Sequence, residues 1–216
     1  MKKKAIIFDL DGTLLNSLID IAESVNYILE KHNFPTHSID DYKYMIGNGI
    51  QVLIEKALPN NISESDFDKY FKEALAVYEQ RQTQKSHPYD GIVEMLNSLS
   101  DRGVVLSILS NKPNNFTKYV VKHFFNVINF KIVLGAREGI PKKPAPDAVN
   151  EIVCALGFDK QEFMYMGDTS TDMLTAGAAN IESIGVTWGY RKVDELLNAG
   201  AKHIVNTPGE VLEFFK

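Results

Sequence analysis

The chain has 216 residues, 44% of them hydrophobic and 24% charged, with a formal net charge of −5. That length suits one large domain, or one domain with a smaller one spliced into it, and the composition is that of an ordinary globular chain. A negative balance with no long basic tract argues against a nucleic-acid scaffold or a binder of anionic membranes.

Lys2 to Lys4 form a charged lead-in to a short apolar segment that Asp9 interrupts. The segment is too short for a secretion signal, and no later apolar run is long enough to span a bilayer, so a cytoplasmic location is expected. AIIFD (5–9) reads as a strand buried on both faces. It runs straight into Asp9-Leu10-Asp11-Gly12-Thr13. Two carboxylates that close repel, and burying them is costly unless something positive lies between them.

No convincing strand appears between Asn16 and His87. SLIDIAESVNYILEKH puts Leu18, Ile21, Ala22, Val25 and Leu29 on one helical face. GIQVLIEKAL predicts a shorter helix. ESDFDKYFKEALAVYEQ places Phe67, Tyr70, Phe71, Ala74, Leu75 and Tyr78 along one face of another. So long a helical stretch is no ordinary loop; it predicts a small inserted domain over 16–87. SHPYDG (86–91) supplies the turn residues of its return hinge.

From there the chain alternates. Strands are predicted in VVLSILS (104–110), FKIVLG (130–135), EFMYMGD (162–168), SIGVTW (183–188) and KHIVN (202–206). PNNFTKYVVKHFF, APDAVNEIVCALG and TSTDMLTAGAAN read as the helices between them. The sole cysteine, Cys154, lies in the second of these and is expected to be a buried core thiol; a single cysteine excludes an internal disulfide, which fits a reducing compartment. Strand and helix in repetition predict an α/β fold, a doubly wound, parallel-sheet, Rossmann-like core over 1–15 and 88–216 with an inserted α-helical cap domain.

In open parallel sheets, ligands bind at the carboxyl ends of the strands. Four such ends here are polar: Asp9 to Thr13, Ser110-Asn111-Lys112, the approach to Lys142-Lys143-Pro144, and Gly167-Asp168-Thr169-Ser170-Thr171-Asp172. Clustered carboxylates with no histidine or cysteine partner are hard oxygen ligands and suit Mg²⁺. A metal, a lysine and loop amides match the demands of phosphoryl transfer, where charge spreads over the phosphoryl oxygens. One aspartate would serve as nucleophile and a second would move protons.

The pattern resembles the haloacid dehalogenase superfamily over nearly the whole chain. DLDGT looks like its first motif, Ser110 its second, Lys143 in KKPAPD its third and GDTSTD its fourth, in the right order. The resemblance implies Asp9 as nucleophile and Asp11 as general acid and base. It implies Mg²⁺ on Asp9, on the Asp11 backbone carbonyl and on Asp168. Ser110 and Lys143 would hold the phosphoryl group, with Asn111 and, in the first cap loop, Gly47 and Asn48 as further substrate contacts. Thr13 and Asp172 would support the site, Asp172 through the metal or by orienting Lys143. Lys142 reads as a surface lysine, and His87, Trp188 and Tyr190 as packing or hinge residues.

Asp11 speaks against dehalogenase chemistry, since a halide needs no proton. The first cap loop, MIGNG, has no arginine, and position 21 has no histidine, which counts against a sugar phosphomutase. DLDGTLLNSLIDIAESVN, LSNKP, KPAPD and VTWGY look most like the phosphoglycolate phosphatases, although Asn16 stands where many relatives have aspartate. The expected function is Mg²⁺-dependent hydrolysis of a small phosphorylated metabolite by a monomer or homodimer. A nucleotidase or pyrophosphatase of the same superfamily is the alternative, and a non-catalytic binder of phosphorylated metabolites a further one.

Overall fold

The computed structural model describes residues 2–216. β1 (Ala5–Phe8) leads into the DLDGT turn and β2 (Leu15–Asn16). Four helices follow: α1 (Leu18–Lys31), α2 (Ile39–Met45), α3 (Ile50–Ala57) and α4 (Glu64–Arg81). β3 (His87–Pro88) then pairs antiparallel with β2, setting Leu15 opposite Pro88 and Asn16 opposite His87. The remainder alternates: α5 (Ile92–Asp101), β4 (Val105–Pro113), α6 (Asn114–Phe124), β5 (Phe130–Ala136), α7 (Asp147–Leu156), β6 (Phe163–Gly167), α8 (Ser170–Ala179), β7 (Glu182–Val186), α9 (Val193–Asn198) and β8 (His203–Val205).

The large sheet has the order β5-β4-β1-β6-β7-β8, with every paired neighbour parallel. From β1 the chain builds outward through β4 and β5, then returns past β1 to build β6, β7 and β8. The strand order therefore reverses at β1, and the carboxyl ends of β1, β4 and β6 open one crevice. Successive β1 side chains enter opposite layers, as the strand period of two requires. Ile6 and Phe8 join Met95, Leu96 and Leu99 of α5 and Val120 of α6. Ala5 and Ile7 join Val149 and Ile152 of α7 and Ala176 and Ala179 of α8.

The helical insert has its own apolar centre. The stripe Leu18, Ile21, Ala22, Val25 and Leu29 is buried against Tyr42, Leu53, Ile54, Ala74 and Tyr78. On α4 only Ala74 and Tyr78 of the predicted stripe are buried; Phe67, Tyr70, Phe71 and Leu75 are partly covered. Two residues from outside the insert, Phe116 and Tyr190, complete this centre, so the insert is packed down on the crevice.

Some features differ from expectation. α2, α5 and α9 are additional helices. α2 starts at a reciprocal cap in which Ser38 accepts from the Asp41 amide and Asp41 accepts from the Ser38 amide. The β2–β3 ribbon puts strand at both edges of the insert, where none was expected. Cys154 is exposed rather than buried. It lies two residues beyond the buried Ile152, about 200° around the helix, on the side away from the sheet. Among the described residues, no helix is long and apolar enough to cross a membrane.

A buried carboxylate fastens the hinge. Asp20 on α1 is only 2% exposed. It accepts from the amides of Lys85 at 2.9 Å and Ser86 at 2.8 Å and from the Ser86 hydroxyl at 2.6 Å. Asp20→Ala would leave buried donors without an acceptor, so it should destabilise the protein by about 2–3 kcal/mol. A denaturant midpoint indistinguishable from that of the unmodified protein would contradict this role.

Candidate active site

The DLDGT turn explains the aspartate pair. After β1, the Leu10 carbonyl accepts from the amides of Thr13, Leu14 and Leu15, which folds the chain back on itself. Gly12 has φ +89° within this turn, and a β-carbon there would lie 2.3 Å from an Asp168 carboxylate oxygen. Only glycine combines that backbone with so close an approach. The turn sends the two carboxylates to different partners.

Asp9 meets the Lys143 ammonium at 2.8 Å, and the same ammonium meets Asp172 at 2.7 Å. All three are buried. Burial pushes the Asp9 carboxyl well above the usual range; Lys143 opposes this, and Asp172 and Asp168 add to it. Burial acts against the Lys143 ammonium too, but Asp172 and Asp9 outweigh it and raise its pKa. Asp172 is itself fixed by the Thr169 amide at 3.1 Å and the Thr169 hydroxyl at 2.7 Å, the reciprocal cap that opens α8. The one carboxylate thus bonds both the start of α8 and the Lys143 ammonium.

Asp11 faces the insert. Its carboxylate accepts from the Ser17 hydroxyl at 2.6 Å and from the Lys112 ammonium at 3.0 Å. Lys112 also contacts the Tyr78 hydroxyl on α4. Burial works against its charge, yet Asp11 and Tyr78 outweigh it and hold its pKa up. Lys112 was not among the residues singled out as site candidates. The available signal was the strand period: Lys112 lies two residues after Ser110 and so emerges on the same side of β4.

Asp168 accepts from the Thr13 hydroxyl at 3.1 Å and from the Tyr190 amide at 2.8 Å. Burial and the nearby Asp172 push its carboxyl up to about 7. Trp188 donates to the Thr13 carbonyl at 3.0 Å, so the VTWGY stretch braces this corner. Ser110 is buried and lines the crevice, its hydroxyl accepting from the Lys112 amide. Asn111 spends its side chain on backbone groups: it accepts from the Lys143 amide and donates to the carbonyls of Lys143 and Gly47. The Gly47 carbonyl, rather than its amide, makes this bond. Asn48 accepts from the Thr171 hydroxyl at 3.1 Å, outside the crevice lining. Arg191, also not anticipated, donates to the Ile46 carbonyl at 2.7 Å and ties the first cap loop to the end of β7.

The crevice encloses a cavity of about 50 Å³. Asp9, Asp11, Ser110, Lys112 and Lys143 form its floor, and Ile21, Ile46, Ile50, Leu53 and Tyr78 its roof. No lining residue is histidine or cysteine. Buried carboxylates paired with lysines thus lie at the switch point of a doubly wound sheet. Residues 6–186 match the haloacid dehalogenase-like hydrolases, and the chain belongs to that family. It is phosphatase-like in sequence and fold along nearly its whole length. It is 33% identical to a phosphoglycolate phosphatase of Colwellia psychrerythraea over 98% of this chain and 96% of that one. A phosphoglycolate phosphatase of Aliivibrio fischeri is likewise 33% identical, over 87% and 85%. The crystal structure of a predicted phosphoglycolate phosphatase from Haemophilus somnus superposes with a TM-score of 0.92 at 26% identity, covering 100% of this chain and 99% of that one.

A cation fits the acidic corner on this structure's own terms. Carboxylate oxygens of Asp9, Asp168 and Asp172 lie within 4.8 Å of one another, all buried. The donors are hard oxygens, and Lys143 is the one cation among them, already shared by Asp9 and Asp172. Without a metal, Asp168 must ionise beside like charge. Its raised pKa gives the metal-free protein a contribution to stability that is fully present below about pH 4 and is lost as pH rises through about 7. Across that window the melting temperature of chelator-treated unmodified protein should therefore fall relative to that of Asp168→Asn at the same pH. Parallel profiles for the two proteins would show that Asp168 carries no such penalty.

Proposed function

We propose that the chain is a Mg²⁺-dependent phosphatase acting on a compact phosphomonoester, phosphoglycolate, through an aspartyl-phosphate on Asp9. One observation carries this reading: Asp9, Asp11, Ser110 and Lys143 converge on a single small cavity at the carboxyl ends of adjacent parallel strands. The relatives' names support the choice of substrate.

In this reading the phosphoryl group sits on Lys143 and Ser110, whose N–H and O–H groups meet its oxygens. An Asp9 carboxylate oxygen attacks phosphorus, and the bond from phosphorus to the alcohol oxygen breaks. Asp11 gives its proton to that departing oxygen. It then takes a proton from the water that attacks the aspartyl-phosphate, which frees Asp9 and inorganic phosphate. Asp9, the Asp11 backbone carbonyl and Asp168 would hold Mg²⁺, which when bound supplies positive charge to offset the phosphoryl oxygens. The helical insert acts as a cap, and its apolar roof keeps bulk water from the intermediate. A cavity of about 50 Å³ leaves room for only a few water-sized groups beside the floor, which favours a compact leaving group.

Asp9→Asn preserves shape and removes the nucleophile. It should abolish Mg²⁺-dependent turnover of an aryl phosphate in protein that circular dichroism shows to be folded. Substantial turnover in this variant would eliminate the aspartyl-phosphate route. Comparison of kcat/KM for phosphoglycolate, a nucleoside monophosphate, pyrophosphate and a hexose phosphate tests the substrate, with phosphoglycolate expected to lead. A nucleotide or pyrophosphate ahead by tenfold, about 1.4 kcal/mol in transition-state binding, would replace phosphoglycolate and keep the phosphatase.

A further inference from the structure

The roof of the crevice is nearly devoid of polar side chains. Of the insert residues that line it, Ile21, Ile46, Ile50 and Leu53 are apolar, Gly47 and Gly49 have no side chain, and Tyr78 alone carries a polar one. Whatever leaves with the alcohol oxygen therefore meets few groups able to recognise it. A ring of hydroxyls or a nucleobase would have its polar atoms buried against hydrocarbon, with a cost for each one left unpaired.

Against that roof stands one cation. Lys112 is 6% exposed and lines the same cavity. Its ammonium reaches Asp11 at 3.0 Å and contacts the Tyr78 hydroxyl. An ammonium has three N–H donors, and among the described residues they meet the two Asp11 carboxylate oxygens, at 3.0 and 3.3 Å, and the Tyr78 hydroxyl. The second lysine of the floor is committed differently, shared by Asp9 and Asp172 where the phosphoryl group is taken to bind. The two cations thus divide the cavity, Lys143 on the Asp9 side and Lys112 on the Asp11 and cap side.

We propose that Lys112, with Tyr78 beside it, is the specificity-determining residue that grips a carboxylate on the leaving alcohol. This rests on the phosphatase reading above and deepens it. A single negative charge close to the ester oxygen takes the place of the longer contact from Lys112 to Asp11, at 3.3 Å, and the short carbon link between charge and ester lies against the apolar roof. The roof rejects what carries more polar atoms, and the ammonium selects among what remains. Asp11 lies within reach of the same ammonium, so the gripped carboxylate also places the departing oxygen beside its proton donor.

The test compares phosphoglycolate with ethyl phosphate, which replaces the carboxylate by a methyl group. In the unmodified protein kcat/KM should favour phosphoglycolate. Lys112→Met should lower the ratio of the two kcat/KM values at least tenfold, mainly through KM for phosphoglycolate, and Lys112→Arg should restore part of it. A melting curve checks that each variant is folded; should Lys112→Met fail, Lys112→Gln, which keeps hydrogen bonding without charge, replaces it. An unmodified protein that hydrolyses both esters without preference overturns the assignment. So does a neutral variant whose ratio stays within threefold of the unmodified one; in both cases the phosphatase itself stands. An unmodified protein that cleaves neither ester nor an aryl phosphate removes the phosphatase reading and the role of Lys112 together.

Discussion

A buried ammonium between two buried carboxylates is the contact on which this crevice depends. Lys143 touches Asp9 at the end of β1 and Asp172 in the first turn of α8. Removing one partner of such a set is more damaging than never having built it, because the remaining charges stay desolvated and uncompensated. The sheet makes the contact available: β1 and β6 are parallel neighbours, so their ends arrive together. The lysine comes from outside both strands, and Asn111 holds its backbone in place by bonding its amide and carbonyl. The same Asn111 amide holds the Gly47 carbonyl of the insert. One side chain therefore ties the Lys143 end of the crevice to the segment that covers it.

The coupling of floor and cover is repeated elsewhere. Tyr190 bonds Asp168 through its amide and Ser17 through its hydroxyl, and Ser17 in turn bonds Asp11. Phe116, at the start of α6, packs edge-on to Tyr78 with ring centroids 5.8 Å apart. Arg191 grips the Ile46 carbonyl. Contacts of this kind make the covered arrangement a defined packing state rather than a loose flap, and they pass through residues that themselves touch the acidic corner.

Much of this was legible in the sequence, for a physical reason. Strands buried on both faces cannot alternate, so AIIF, VLSIL and FMYMG stand out as unbroken apolar runs, and the polar residues that end them mark the crevice. The aspartates were legible because no packing role explains two of them at the end of a core strand. What was not legible depends on distant partners. Asp20 looks like an ordinary polar residue on α1; it is buried only because residues 85 and 86 return to it. Lys112 precedes a proline and reads like a lysine leaving the sheet; it is buried because Tyr78, 34 positions earlier, lies over it. Cys154 shows the converse error, where a residue type usually found in cores lies on the outward face of an amphipathic helix. The two-residue strands β2 and β3 have no period long enough to detect, and they exist because each completes the other.

That short ribbon has a bearing on how such proteins diversify. Leu15 and Pro88 stand on either side of the helical insert and are directly paired. Paired antiparallel strands hold opposing Cα atoms about 5 Å apart. Because loop-closure cost grows slowly with length, ends that meet at that spacing place little limit on how long the segment between them can be. The floor of the crevice and its cover are thus joined through a common socket, and a different cover set there would bring its own partners for Asp11 and Lys112 in place of Ser17 and Tyr78.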